Sequence, residues 1–270
     1  MNIPAPEWSI SPARQLIAGI IFAAVLVAAL VYAVRAARRV RQPYPVYVML
    51  AAGLIVFGEP FVDVLGHCAF PEIGATPWVH VFGRIVGTYM APVYFFYFGT
   101  GILITMRMIA AGVTRRRWWQ WYAGAVAFAL AFEPLPILNG WWTYYGANQP
   151  LKFFGLPIWW AFANTGGWLV AGAIMHVLIS RRLLTGAGTL AIFPLMPMIF
   201  MGSHTMMAFP TYVALNSSDS TLITNAAQLA TIGLSLAAVW ACGRLVSADG
   251  TSPEIRTDPA VRPETAAASS

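Results

Sequence analysis

Seven stretches of about twenty mostly apolar residues recur along this chain of 270, at 16–34, 44–65, 81–105, 119–136, 156–180, 190–210 and 222–242. At about 1.5 Å of rise per residue, a helix of that length matches the roughly 30 Å hydrocarbon thickness of a bilayer. Lipid offers no partner to free backbone groups, so such stretches must close their own hydrogen bonds as helices. The expected fold class is an all-α integral membrane protein, a bundle of seven transmembrane helices. A composition of 59% hydrophobic and 10% charged residues fits that class and not a soluble domain. Residues 1–245 are expected to form one transmembrane domain. Residues 246–270, rich in Pro, Ser, Thr, Ala and charge, read as a disordered tail.

The basic residues orient the bundle. Arg35, Arg38, Arg39 and Arg41 follow span one, Arg107, Arg115, Arg116 and Arg117 follow span three, Arg181 and Arg182 follow span five, and Arg244 follows span seven. Only Arg14 and Lys152 fall at the opposite ends. The positive-inside rule then places the N-terminus outside and the C-terminus in the cytoplasm. The same bias is opposite to that of a cleaved secretory signal, so span one is expected to stay. The net charge of +6 reports this topology, and no nucleic-acid partner is expected. Cys68 and Cys242 sit at opposite ends of the bundle, which predicts neither a disulfide nor a thiol metal site.

Against this apolar background stands FGEPFVDVLGH at 57–67. A carboxylate at membrane depth costs from about 2.5 to above 10 kcal/mol, so intramembrane acids point to function. Glu59 and Asp63, four residues apart, share a helical face. Other polar residues fall in the same outer halves or ends: His67, Arg84 in span three, Glu133 and Asn139 in span four, Asn164 in span five, His204 in span six, Asn225 and Gln228 in span seven. The inner halves offer little beyond His176. A preference for one leaflet predicts a polar cavity in the outer half, open to the outer face or to lipid. The steps Glu59-Pro60 and Glu133-Pro134 add to this, because proline frees the carbonyls of Val56 and Leu130 where backbone lines a cavity. The connection NGWWTYYGANQPLKFFGLPIWW at 139–160 belongs in part to the ordinary interfacial aromatic belt, an alternative that stands for each single ring, and its density suggests a lid.

Three acids and one base near each other are the parts of general acid-base catalysis, since buried carboxyls resist ionisation and a neighbouring arginine opposes that resistance. Glu59 and Glu133 are the expected acid and base, in either order. Asp63 and Arg84 would tune them and His67 would relay protons. Trp141, Trp142, Tyr144, Tyr145 and Trp159 would wall a lipophilic small-molecule substrate, with Arg84, Asn139, Asn164 and His204 contacting it. Two structural alternatives stand beside this: Glu59 or Asp63 pairing with Arg84 to lock spans two and three, and His204 packing between helices. Suitable reactions start with protonation: activation of a hemiketal or alkene, loss of water, and ring closure.

Other chemistries lack their residues. The only lysine is Lys152, outside the last span, so no retinal Schiff base is expected. Four histidines, His67, His80, His176 and His204, do not make di-iron boxes, and a lone zinc on His67, His80 and an acid has no specific spacing. No phosphate-binding glycine loop, GxSxG elbow or Asp-rich diphosphate motif occurs. No metal and no cofactor is expected.

The segments FGEPFVDVLGHCAFPE and FEPLPILNGWWTYYGANQPLKFFGLPIWW resemble the avermectin-type (AveC-like) spirocyclase family of actinobacterial membrane proteins. The matching positions are Glu59, Pro60, Gly66 and His67 in the first block, and Glu133, Gly140, Tyr144, Gly155 and Pro157 in the second. Glu59 stands where an Asp before proline is usual. The resemblance, over spans two to five, implies cofactor-independent dehydration and spiroketal formation on a polyketide in the bacterial cytoplasmic membrane. Small seven-span integral-membrane terpene cyclases, which protonate an epoxide or alkene with buried acids, look similar too. A proton-coupled transporter or sensor would use the same acids, but its polar groups should form a path through the membrane, which this pattern lacks.

Overall fold

Each apolar stretch folds as a helix long enough to cross a membrane. The structure, a computed structural model describing residues 8–249, has such helices at Pro12–Val40, Tyr44–Gly66, Thr88–Ala110, Arg115–Leu138, Ile158–Ser180, Gly186–Ser217 and Thr221–Val246. Span five is the hub, packing on spans three, four, six and seven. Its small residues permit the close approach: Gly167 abuts the ring of Phe200 and Gly172 abuts Thr105. Spans one and six leave most of their apolar windows uncovered, as surfaces meant for lipid do, whereas spans three and five bury most of theirs. Neither cysteine is bonded.

Three spans depart from regular helix at related places. Span two tightens into a 3₁₀ helix at Gly53–Gly58 and relaxes to α-helix at Glu59–Gly66. The Val56 carbonyl, expected to be freed by Pro60, is instead taken by the Glu59 N–H, closing the 3₁₀ turn. Span three widens into a π-helical turn at Tyr94–Phe98. Span four breaks at Glu133, between the α-helices Arg115–Phe132 and Pro134–Leu138. Such irregularities need an identifiable cause, and π turns occur often at functional sites.

The third span starts later than hydropathy suggests. Residues 77–87 form a hairpin, β2 (Pro77–Val81) against β3 (Arg84–Gly87), with Val81 opposite Arg84. Its two turn residues, Phe82 and Gly83, both have positive φ (55° and 67°), as a type I′ hairpin requires. Arg84 therefore belongs to a strand before the span, not to the span itself. Two smaller antiparallel pairs also depart from an all-helical chain, β1 (Cys68–Ala69) with β4 (Thr143–Tyr144) and β5 (Lys152–Phe153) with β6 (Leu156–Pro157), as does a parallel bridge between Ser9 and Ile73.

The boundary expected at residue 245 also shifts. Span seven runs to Val246, and the next residues dock on the turn between spans three and four: the Ala248 N–H donates to the Val113 carbonyl at 2.7 Å, and the Arg115 N–H donates to Asp249 Oδ1 at 3.0 Å. The rest of the expected tail, 250–270, lies outside the described residues.

Candidate functional site

The three irregular turns meet at one cavity. Glu59 opens the α-helical segment after the 3₁₀ turn, and Glu133 sits at the break of span four; both line the cavity, with Asn164 from span five. The π turn brings Tyr94, Tyr97 and Phe98 to its wall, and Phe132, Trp142 and Trp160 add further aromatic faces. Water-sized molecules find about 40 Å³ here, room for a few waters. The cavity is therefore acid-bearing but mostly aromatic, narrower and less polar than the sequence suggests.

The two glutamates have unequal surroundings. Glu133 is buried, and its Oε1 accepts from the Tyr97 hydroxyl at 2.7 Å and from Asn164 Nδ2 at 3.3 Å, with the Tyr144 hydroxyl nearby. Glu59 is half-buried and has no hydrogen bond from a side chain among the described residues. Tyr144 is delivered by β4, which pairs with β1 directly after span two (Cys68 opposite Tyr144), and the Tyr145 N–H donates to the His67 carbonyl at 2.9 Å. Burial first, and then the nearby Glu133, push the Tyr144 phenol well above its ordinary range, so it stays a donor.

Asp63 is wholly buried behind this cavity. Neither carboxyl oxygen has a hydrogen bond of ordinary geometry, and its polar neighbours are the Cys68 thiol and the Arg84 guanidinium. Arg84 instead donates to the Tyr145 hydroxyl and lies 5.3 Å from the centre of that ring. The alternative of an ion-pair lock on Arg84 is not what forms: among the described residues the one ion pair joins Arg115 to Asp249. Tyr145 also stacks on His67, with ring centres 5.1 Å apart and planes at 9°. These two rings border a second, wider pocket of about 560 Å³, with Asn148, Asn216, Ser218 and Asp219 on its far side. Burial holds His67 below the ordinary histidine range; Asn216 opposes this and Arg84 adds to it. Burial, then Asp63, push the Cys68 thiol well above its usual range, so it is not a thiolate nucleophile.

The remaining expected residues lie elsewhere. Asn139 is exposed and folds its amide onto the Leu135 carbonyl at 2.8 Å, because it caps the short helix ending there. Trp141 packs edge-on against Phe22 of span one at 5.1 Å. Trp159 is buried against Trp160 and Tyr212, and its backbone N–H donates to Gln228. His204 is enclosed by Phe200, Trp160 and Tyr212, the packing role. Asn225 and Gln228 hold the approach to span five, Asn225 by accepting from the Leu151 N–H at 2.9 Å. Among the described residues no group of three His, Cys, Asp or Glu is placed to hold a metal.

Tyr97 and Tyr94 escape the sequence reading. Their signal is the run YFFYF in span three, two hydroxyls at membrane depth that must find acceptors. No family model, curated protein or solved structure matches the chain.

Proposed function

We propose that this chain is a cyclase of the bacterial cytoplasmic membrane that closes a ring in a lipophilic polyketide or terpenoid by acid-base catalysis. The observation that carries the reading is the pair of carboxyls in one aromatic cavity with unequal hydrogen-bonding: Tyr97 and Asn164 donate to Glu133, and among the described residues no side chain donates to Glu59. A carboxylate accepts only, so the donor set around Glu133 suits the base, and Glu59 is left to act as the acid. The arginine-rich ends face the cytoplasm, which puts the cavity in the outer half of the bilayer.

In this reading Glu59 gives its proton to a carbonyl, hydroxyl or alkene of the substrate. The resulting cation develops against the faces of Tyr97, Trp142 and Trp160, which stabilise positive charge. An internal hydroxyl or alkene attacks, the new C–O or C–C bond forms, and Glu133 takes the proton released. When the protonated group is a hydroxyl, water leaves. The cavity as it stands admits a few waters, so a substrate enters only when part of its wall moves.

The test compares metabolites of a producing strain carrying the wild-type gene, Glu59→Gln or Glu133→Gln. Each variant should lower turnover about 100-fold or more. An uncyclised precursor, of equal mass or heavier by one water, should accumulate. An unchanged small-molecule profile overturns the reading, and proton-driven substrate uptake in liposomes would then favour a transporter.

A further inference from the structure

Glu59 and Asp63, four residues apart, share one face of a short helical segment at about 6 Å of rise, and His67, four residues further on, caps this stack beyond the helix end. The two ends of this stack open on different spaces. Glu59 lines the narrow cavity, and His67, at the helix end in a left-handed conformation (φ 53°), borders the wide second pocket. Asp63 between them is wholly buried with both oxygens lacking ordinary hydrogen bonds, and both ring nitrogens of His67 are in the same state. Leaving such groups unsatisfied is costly, and proteins keep them where they serve a purpose. The Cys68 thiol links Asp63 to the narrow cavity, since it lies against Asp63 and also lines that cavity.

We propose that Glu59, Asp63 and His67 form a proton ladder that equilibrates the cavity with the solution at the arginine-poor end of the bundle. Each step moves one proton between neighbouring groups: water in the wide pocket to the His67 imidazole, imidazole to the Asp63 carboxylate, and Asp63 to Glu59 across the Cys68 thiol and cavity water. The reverse sequence returns it. Ring closure consumes no net proton, so the ladder sets which solution controls the acid, and it rests on the reading of Glu59 as that acid. The groups facing it from other elements are Arg84 from β3, Tyr145 from the connection, Asn216 and Tyr212 from span six, Asp219 beyond it, Tyr94 from span three and Glu133 from span four. Arg84 is a positioning residue, holding the Tyr145 ring over His67.

The experiment is infrared difference spectroscopy of the full chain in liposomes, where the band lost in Glu59→Gln marks its protonated carboxyl. After transfer to heavy water, that band should shift at least about tenfold more slowly in Asp63→Asn than in wild type, and Asp63→Glu should restore the rate. A pH step confined to the arginine-poor side should change the band, and one on the other side should not. If Asp63→Asn fails to fold, His67→Gln reads the same exchange from the far end. Unchanged exchange, no Glu59 band, or control from the arginine-rich side overturns the ladder. No substrate enters, so normal exchange without turnover sinks the cyclase reading alone, and turnover with exchange untouched by Asp63→Asn sinks the ladder alone.

Discussion

Replacing Tyr97 by Phe removes one oxygen and leaves a ring packed edge-on against Trp168 at 4.8 Å and stacked on Phe132 at 5.8 Å. The packing is conserved, so a change in stability belongs to the hydroxyl that donates to Glu133 at 2.7 Å. A hydrogen bond to a charged acceptor contributes about 1.5–3 kcal/mol, and one to a neutral acceptor about 1. Tyr97→Phe should therefore destabilise the wild-type protein by about 2 kcal/mol, and a Glu133→Gln protein by about half as much. For a chain of this size each kcal/mol moves the melting midpoint by about 2–4 °C, so the expected drops are about 4–8 °C and 2–4 °C. Thermal unfolding of the four proteins in detergent micelles completes the double-mutant cycle. Equal drops in the two backgrounds mean that Glu133 is not ionised in the resting protein, and the assignment of acid and base fails.

Gly101→Ala places a Cβ 2.3 Å from the Trp168 ring, which itself supports Tyr97, so it should destabilise by about 1–3 kcal/mol; a melting midpoint unchanged within error would show that the indole yields freely. With Cys68 and Cys242 changed to Ser, a cysteine at Ser218 should react with an impermeant thiol reagent on intact cells and one at Arg182 only after lysis, and the opposite pattern would reverse the proposed orientation. Burial holds His67 below the ordinary histidine range, so the unfolded chain binds its proton more readily than the folded one. Stability should then fall as pH drops below about 6.5, and His67→Gln should flatten that fall; superimposable stability curves for the two proteins would refute it.

The spans were legible because bilayer thickness fixes their length, and the acids were legible because a charge in lipid needs a reason. Arg84 was misplaced for a related cause: a hydropathy window sums the alternating Val79, Val81, Ile85 and Val86 of the hairpin as if they were helical, and Phe82-Gly83 is a weak turn signal without Asn or Asp. Tyr97 was overlooked because the same sum counts tyrosine as apolar filler, and the π turn that carries it toward Glu133 leaves no pattern in sequence. Depth alone drew Asn139 and His204 into the site. Position along the membrane normal does not say which way a side chain faces, and that is decided by the packing of span six on span five and by the cap that Asn139 makes after Leu138.

The irregular turns in spans two, three and four have a mechanical consequence. Beyond its bend, span two has only the eight residues Glu59–Gly66 and span four only the five residues Pro134–Leu138. A segment of eight residues is a lever about 12 Å long, so a tilt of about 10° carries its tip about 2 Å. Two short levers pivoting beside the carboxyls can widen the mouth of the cavity while the long shafts toward the arginine-rich ends stay in register. The glutamates, placed at the pivots, would hardly move while the gap above them grows.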